Sequence, residues 1–183
     1  MKYCSSCGQT LIVTTPPGDT RGRFVCEHCD TIHYQNPRVV TGCLVAWDDR
    51  VLLCRRDIEP RSGYWTLPAG FLENGETAEA GAVRETWEEA RARVLVDDLY
   101  TLFSLPHISQ IYMFYRGRLA APEFSAGEET REVGLFSEED IPWDELAFPV
   151  VHQTLKHYFA DRQNDHFPVR AQDIIIDRAR RRW

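Results

Sequence analysis

The sequence predicts an α/β domain, a mixed sheet covered by helices, preceded by a small zinc-binding module. Three observations carry this reading. Strand-like apolar runs recur between Val39 and Leu119 and are interrupted by a strongly charged helical segment after Thr77, an alternation that belongs to α/β architectures. Apolar residues at Val150, Val151, Leu155, Tyr158 and Phe159 repeat with a helical period. Ahead of both, Cys4-Ser-Ser-Cys7 and Cys26-Glu-His-Cys29 form two CxxC knuckles.

The knuckles come first in the chain. Four of the six cysteines lie in them, and paired CxxC turns bring four thiolates to one tetrahedral ion, so Cys4, Cys7, Cys26 and Cys29 are expected to hold a structural Zn²⁺. Disulfides are the competing reading, and a chain with no apolar export signal suits zinc better. His28 and His33 are expected outside the ligand set. Residues 14–22, rich in Thr, Pro and Gly, form a ribbon loop between the knuckles. Tyr34-Gln-Asn-Pro37 then extends the chain, which places the module at residues 1–36, a main domain at 37–162 and an extension at 163–183.

Within the main domain, Val39 to Trp47 and Val51 to Arg55 are expected as strands around the turn Asp48-Asp49-Arg50. Cys43 and Cys54 fall in these runs as core thiols. Residues 60–68 are expected as loop, Val94 to Leu105 and Gln110 to Leu119 as further strands, and Glu132 to Phe136 as a short one. Beyond Phe159, Asp173-Ile-Ile-Ile-Asp177 is expected as an edge strand, and the basic run Arg178 to Trp183 as a solvated terminus.

The segment between two of these strands carries the chemistry. Thr77 is expected to cap a helix with Glu79 in its first turn. At about 100° per residue, Glu85, Glu88 and Glu89 share one side, with Ala78, Gly81 and Ala82 on that side one or two turns earlier. Ala80, Val83, Trp87 and Ala90 are expected to form an apolar stripe against the core, leaving the acids facing away. A solvated acidic face is the plain alternative. Like charges at this spacing repel, however, and three carboxylates with small residues beside them suit Mg²⁺ or Mn²⁺.

The full run is Gly70, five residues, Glu76, seven residues, Arg84-Glu85, two residues, Glu88-Glu89. It resembles the Nudix box, the signature of hydrolases that cleave nucleoside diphosphates linked to another group. The match departs at Arg91, where the family has the glycine that ends its helix, and Thr86 is less apolar than usual. The resemblance implies a Nudix α/β/α sandwich, a Gly70 carbonyl in the metal shell, an Arg84 that orients the glutamates, and Glu76 as partner to Arg84. It also points to a base in the loop 125–132, with Glu129 the first choice and Glu132 the second. A homodimer is implied by the resemblance alone.

The flanks bear on the substrate. A zinc ribbon before a Nudix domain resembles the NADH pyrophosphatase branch, but Ser104-Leu-Pro-His-Ile-Ser-Gln110 lacks that branch's proline- and aromatic-rich motif. The knuckles, Tyr34 to Pro37, Gly42-Cys-Leu, Val51 to Cys54, Trp65 to Gly70, Arg84 to Glu89 and Ala147-Phe148 together resemble FAD pyrophosphatases of plant chloroplasts, which also cleave ADP-ribose. The resemblance implies FAD or ADP-ribose as substrate, with NADH as the alternative. Trp65, Arg55 and Arg56 are candidate substrate contacts; Tyr64, Phe71, His107, Tyr112 and Phe148 are further aromatic candidates, though core packing is the commoner fate of such rings.

Composition excludes other classes. A net charge of −7 opposes a broad grip on nucleic acid. The knuckle region sets Lys2, Arg21 and Arg23 against Asp19, Glu27 and Asp30, a poor track for phosphates, which disfavours a nucleic-acid module, and the presence of all three box carboxylates disfavours an inert nucleotide sensor. No apolar run approaches the length of a membrane span. A cytoplasmic enzyme is the expectation.

Overall fold

The chain's computed structural model describes residues 1–175 and divides into two compact units, Met1–Pro37 and the rest from Arg38 onward. The first holds three short antiparallel strands in order, β1 (Ile12–Thr14), β2 (Arg23–Val25) and β3 (Ile32–His33).

The second unit is built on an eight-stranded sheet. Its strands are β4 (Arg38–Trp47), β5 (Arg50–Arg56), β6 (Trp65–Thr66), β7 (Ala69–Phe71), β8 (Val94–Leu105), β9 (Gln110–Leu119), β10 (Thr130–Phe136) and β11 (Arg170–Asp173). The order is β10-β5-β4-β9-β8-β11, with β6 on β5 and β7 on β4. β4 runs antiparallel to β5 and parallel to β9, which makes the sheet mixed.

Alternation along β4 divides the core. Cys43 and Val45 join Leu52, Cys54, Ala82 and Ala90 beneath helix α1 (Ala78–Ala90), whereas Leu44 joins Val51, Leu53, Phe103, Val151 and Leu155 beneath helix α2 (Pro149–Arg162). The two helices thus cover opposite faces, the expected sandwich. Burial pushes the Cys54 thiol well above its ordinary value, and both strand cysteines are inert core residues.

Helix α1 packs differently from the expected stripe. Gly81, Ala82, Thr86, Glu89 and Ala90 are buried, while Ala80 is exposed, Val83 only half-buried and Trp87 44% exposed. The reason is closeness. The helix approaches β4 through its smallest residues, where Thr41 Oγ1 donates to the Ala78 carbonyl at 2.7 Å, and Thr86 returns its hydroxyl to the Ala82 carbonyl at 2.8 Å. Large apolar side chains do not fit that seam. The acids consequently do not all face away from the core, because Glu89 lies inside the same seam.

Both helix ends are capped. Thr77 accepts from Ala80 N, and Arg91 adopts the left-handed conformation at φ 49°, its N–H bonding the Trp87 carbonyl. Arg91 therefore does with strain what glycine does freely.

Three further differences concern strands. The loop expected over residues 60–68 contains β6, and the short strand expected at Glu132 begins at Thr130, with an irregularity between Thr130 and Glu132. At the far edge the strand lies at Arg170–Asp173, parallel to β8, and ends before Ile174 and Ile175, while Ile176 and Asp177 lie outside the described residues. Ile174 instead packs on the core, and Arg170 is held by Asp161. The extension expected at 163–183 therefore contributes a strand to the main sheet; the basic run from Arg178 lies outside the described residues.

Candidate active site and metal centre

Strand β7 brings the box to the sheet. Gly70 pairs with Thr41 on β4, and the Glu85 carboxylate lies so close that a Cβ at residue 70 would stand 2.3 Å from Glu85 Cδ. Only glycine fits there. One residue earlier, Ala69 N donates to Glu89 Oε2 at 3.1 Å. The short strand and the C-terminal half of α1 therefore share one carboxylate cluster.

Arg84 organises that cluster. It donates to both oxygens of Glu76 at 3.1 and 2.8 Å, to Glu85 Oε1 at 2.7 Å, to Glu88 Oε2 at 3.1 Å and to the Phe71 carbonyl at 3.2 Å. The guanidinium holds the Glu76 carboxyl down at about 2, helped by the Glu73 N–H. Glu76 is thus the anchor from which Arg84 reaches the other acids.

The acids nearer the sheet behave oppositely. Burial raises the Glu85 carboxyl against the pull of Arg84, and burial pushes Glu89 up to about 8, against the Ala69 N–H and the charge of Arg56. Charges on Glu129 add to both shifts. Buried carboxylates crowded beyond their cationic partners suit a hard divalent cation, for which oxygen is the preferred donor. Glu85, Glu88, Glu89 and the backbone at Gly70 are the groups here that could hold one.

The loop after β9 closes the site. Gly127 packs on the end of α1 so tightly that a Cβ would fall 1.7 Å from the Glu88 carbonyl oxygen, and its N–H bonds the Glu89 carbonyl at 3.0 Å. Ser125 N bonds Ala90 O at 2.8 Å. This docking carries Glu129 to the carboxylates, with its own carbonyl bonded to Asp57 N at 2.9 Å. Glu132, the second choice for a base, faces Arg55 instead at 3.5 Å. Gly127 escaped the sequence reading; a lone glycine in a polar loop carries no signal of what it touches.

The three candidate substrate contacts separate. Trp65 is only 6% exposed and meets Phe136 edge-on at 4.8 Å, so it is a core residue and not a stacking surface. The two-residue strand β6 and its bond from Ala147 N turn it inward. Arg55 is occupied by the Gly63 carbonyl at 2.9 Å and by Glu132. Arg56 gives its Nε–H to the Pro60 carbonyl at 2.9 Å and lies over the Phe148 ring at 5.3 Å, and of the three it is the one whose charge is felt at Glu89 and Tyr112.

In the first unit the knuckles converge. The sulfurs of Cys4, Cys7, Cys26 and Cys29 all lie within 4.8 Å of one another, and no set of three or more carboxylates among the described residues, Glu85, Glu88 and Glu89 included, converges as closely. Cys4 and Cys29 are 3.7 Å apart, Cys7 and Cys26 3.5 Å. A tetrahedral zinc with sulfur at about 2.3 Å requires separations of about 3.8 Å. Four thiols at these spacings fit it. His33 Nε2 lies 3.3 Å from Cys4 Sγ, and Thr31 Oγ1 3.1 Å from Cys29 Sγ, which places both around the sulfurs and leaves the four-cysteine set intact.

The NUDIX domain profile matches residues 36–158 and the Nudix N-terminal zinc-ribbon profile residues 2–35. The chain belongs to the Nudix family of hydrolases. Among solved structures, the NUDIX hydrolase of Nitrosomonas europaea superposes on this Nudix hydrolase with a TM-score of 0.90 at 50% identity, covering 95% of this chain and all of that one. The ADP-ribose pyrophosphatase of Methanocaldococcus jannaschii is 31% identical over 121 residues, covering 63% of this chain and 69% of its own. The NAD-capped RNA hydrolase NudC of Edwardsiella ictaluri is 36% identical over 95 residues; the match covers 51% of this chain and 34% of that protein. No described helix is long and apolar enough to cross a membrane.

Proposed function

We propose that this Nudix hydrolase cleaves the diphosphate bond of a dinucleotide or nucleoside diphosphate derivative, with FAD (to FMN and AMP) and ADP-ribose (to AMP and ribose 5-phosphate) as its substrates. The observation that carries the reading is the Glu85 carboxylate pressed against Gly70 beside the buried Glu89. Likeness to the M. jannaschii ADP-ribose pyrophosphatase supports ADP-ribose; FAD rests on the sequence resemblance alone.

In this reading Glu85, Glu88 and Glu89 would hold Mg²⁺ or Mn²⁺, and such a cation would neutralise diphosphate oxygens and make a water more acidic. Arg84 keeps the three carboxylates in place while remaining anchored by Glu76. Glu129 accepts the proton of the attacking water. The water oxygen bonds to one phosphorus, the bridging oxygen leaves on the other phosphate, and one molecule of water is consumed per bond broken. Arg56 is the side chain placed to meet substrate oxygens. Zinc on the four cysteines is architectural, since a closed thiolate shell leaves no open position.

The NudC relatives favour a second reading, NADH cleavage to NMNH and AMP. Metal-dependent AMP release from FAD, ADP-ribose and NADH, compared by kcat/KM, separates the two. FAD and ADP-ribose are expected to be preferred, and preferential NADH cleavage would overturn that choice.

A further inference from the structure

An aromatic and cationic patch borders the box on the face of the sheet beneath α2. Val40 of β4 pairs on one side with Phe71 of β7 and on the other with Tyr112 of β9, so the three side chains leave the sheet on one face. Arg38, two residues before Val40, shares that face. Its guanidinium lies over the Phe71 ring, 4.8 Å from the centroid.

Phe71 is 47% exposed. A single exposed phenylalanine is unremarkable by itself, but this one is fixed at three points. Its own strand pairs with β4, its carbonyl accepts from Arg84 at 3.2 Å, and one side of its ring is held by Arg38. It also follows Gly70 directly: its ring leaves the sheet on the face opposite the one Gly70 presents to Glu85, and its link to the carboxylates is the Arg84 that bonds both its carbonyl and Glu85. Arg38 and Arg56 both act on the Tyr112 hydroxyl, opposing the upward push of burial, which gathers the two arginine–aromatic pairs around that residue. The hairpin tip of β8 and β9 adjoins them through the bond from Arg38 N to Ser109 O at 3.0 Å. His107 in that tip carries a buried Nδ1 with no partner.

We infer that Phe71, backed by Arg38 and bordered by Tyr112, is the platform on which an aromatic ring of the nucleotide substrate stacks, adjacent to the carboxylates that take its diphosphate. The inference rests on the proposed hydrolysis and adds a specificity residue to it. A platform that reads only a planar ring accepts adenine and flavin alike, in keeping with two substrates that share an AMP half. Core aromatic residues cannot serve, as Trp65 illustrates.

The test compares Phe71→Ala and Phe71→Trp with the unaltered protein, reading KM and kcat for FAD and ADP-ribose together with equilibrium binding of AMP. Loss of one base–aromatic stack predicts a KM about tenfold or more higher for Phe71→Ala, with the loss falling on KM rather than kcat. Phe71→Trp is expected to restore it. A Phe71→Ala KM within twofold of the unaltered value would overturn the inference, as would Phe71→Trp losing as much as Phe71→Ala with kcat falling too, the mark of a structural role for β7. If the unaltered protein cleaves none of these nucleotides, the proposed hydrolysis fails instead; AMP binding then reads the platform separately, and equal binding by Phe71→Ala would end it.

Discussion

Arg84 is the residue on which the site turns. Its charge is spent inside the cluster, on Glu76, Glu85 and Glu88, so it is a positioning residue and leaves the substrate's charge to other groups. Glu129 differs from every other acid there, being exposed and free of arginine bonds among those described while lying within electrostatic reach of Glu85 and Glu89. Glu129→Gln should lower kcat by about 10²-fold or more, measured with saturating Mg²⁺. An unchanged rate would return the role of base to Glu88 or Glu89. Residue spacing makes the box and the four converging cysteines legible, because both depend on separations along one helix or one turn. Trp65 meets the commoner fate of aromatic rings, core packing, and the sequence leaves that choice open for the complementary reason. Whether a ring next to a motif faces ligand or core depends on β5, β10 and Phe136, which are far from it in sequence.

Elements show the same division. Strands β8 and β9 coincide with the expected runs at both ends, because long stretches rich in apolar, β-branched and aromatic residues bounded by turn residues mark a strand even where the pairing is irregular at Val96/Asp98 and Leu99/Thr101. Helix α1 was placed correctly along the chain but wrongly about its axis. Hydrophobicity pointed to Val83 and Trp87, whereas the true seam is chosen by size, with Gly81, Ala82 and Thr86 letting the helix close on β4. At the other helix, Asp161 joins α2 to two strands: Tyr100 of β8 donates to it at 2.7 Å and Arg170 of β11 pairs with it. Burial alone would raise its carboxyl, but the bonds from Arg170 and Tyr100 outweigh burial and hold it below the usual 3.8. A depressed carboxylate contributes stability above its unfolded value and loses it as pH falls through the folded one. Asp161→Asn should therefore melt about 2–4 °C lower at pH 7, and the gap should shrink below about pH 4. A gap that is constant from pH 7 to pH 3 would show that the carboxylate's charge is irrelevant to the tie.

On the proposed reading, the two compact units would hold different metals. Sulfur ligands gather in the first, where CxxC spacing suffices to define a closed tetrahedral shell. Oxygen ligands gather in the second, where the cluster needs a strand, a helix and the loop around Gly127 to come together. The first kind of cluster is legible in sequence through its CxxC spacing; the second is legible only as far as one helix supplies it, so that Glu129 and Arg56 stand in the sequence as candidates whose surroundings only the fold shows. The central claim is that hydrolysis belongs to the oxygen cluster and that zinc is architectural. AMP release from FAD and ADP-ribose by zinc-loaded protein, titrated with Mg²⁺ for the unaltered chain and for Glu85→Gln, tests it most directly. The account predicts no turnover with zinc alone, saturable activation by Mg²⁺, and a kcat about 10²-fold or more lower in Glu85→Gln with zinc still bound. Turnover supported by zinc alone, or undiminished activity in Glu85→Gln, would contradict it.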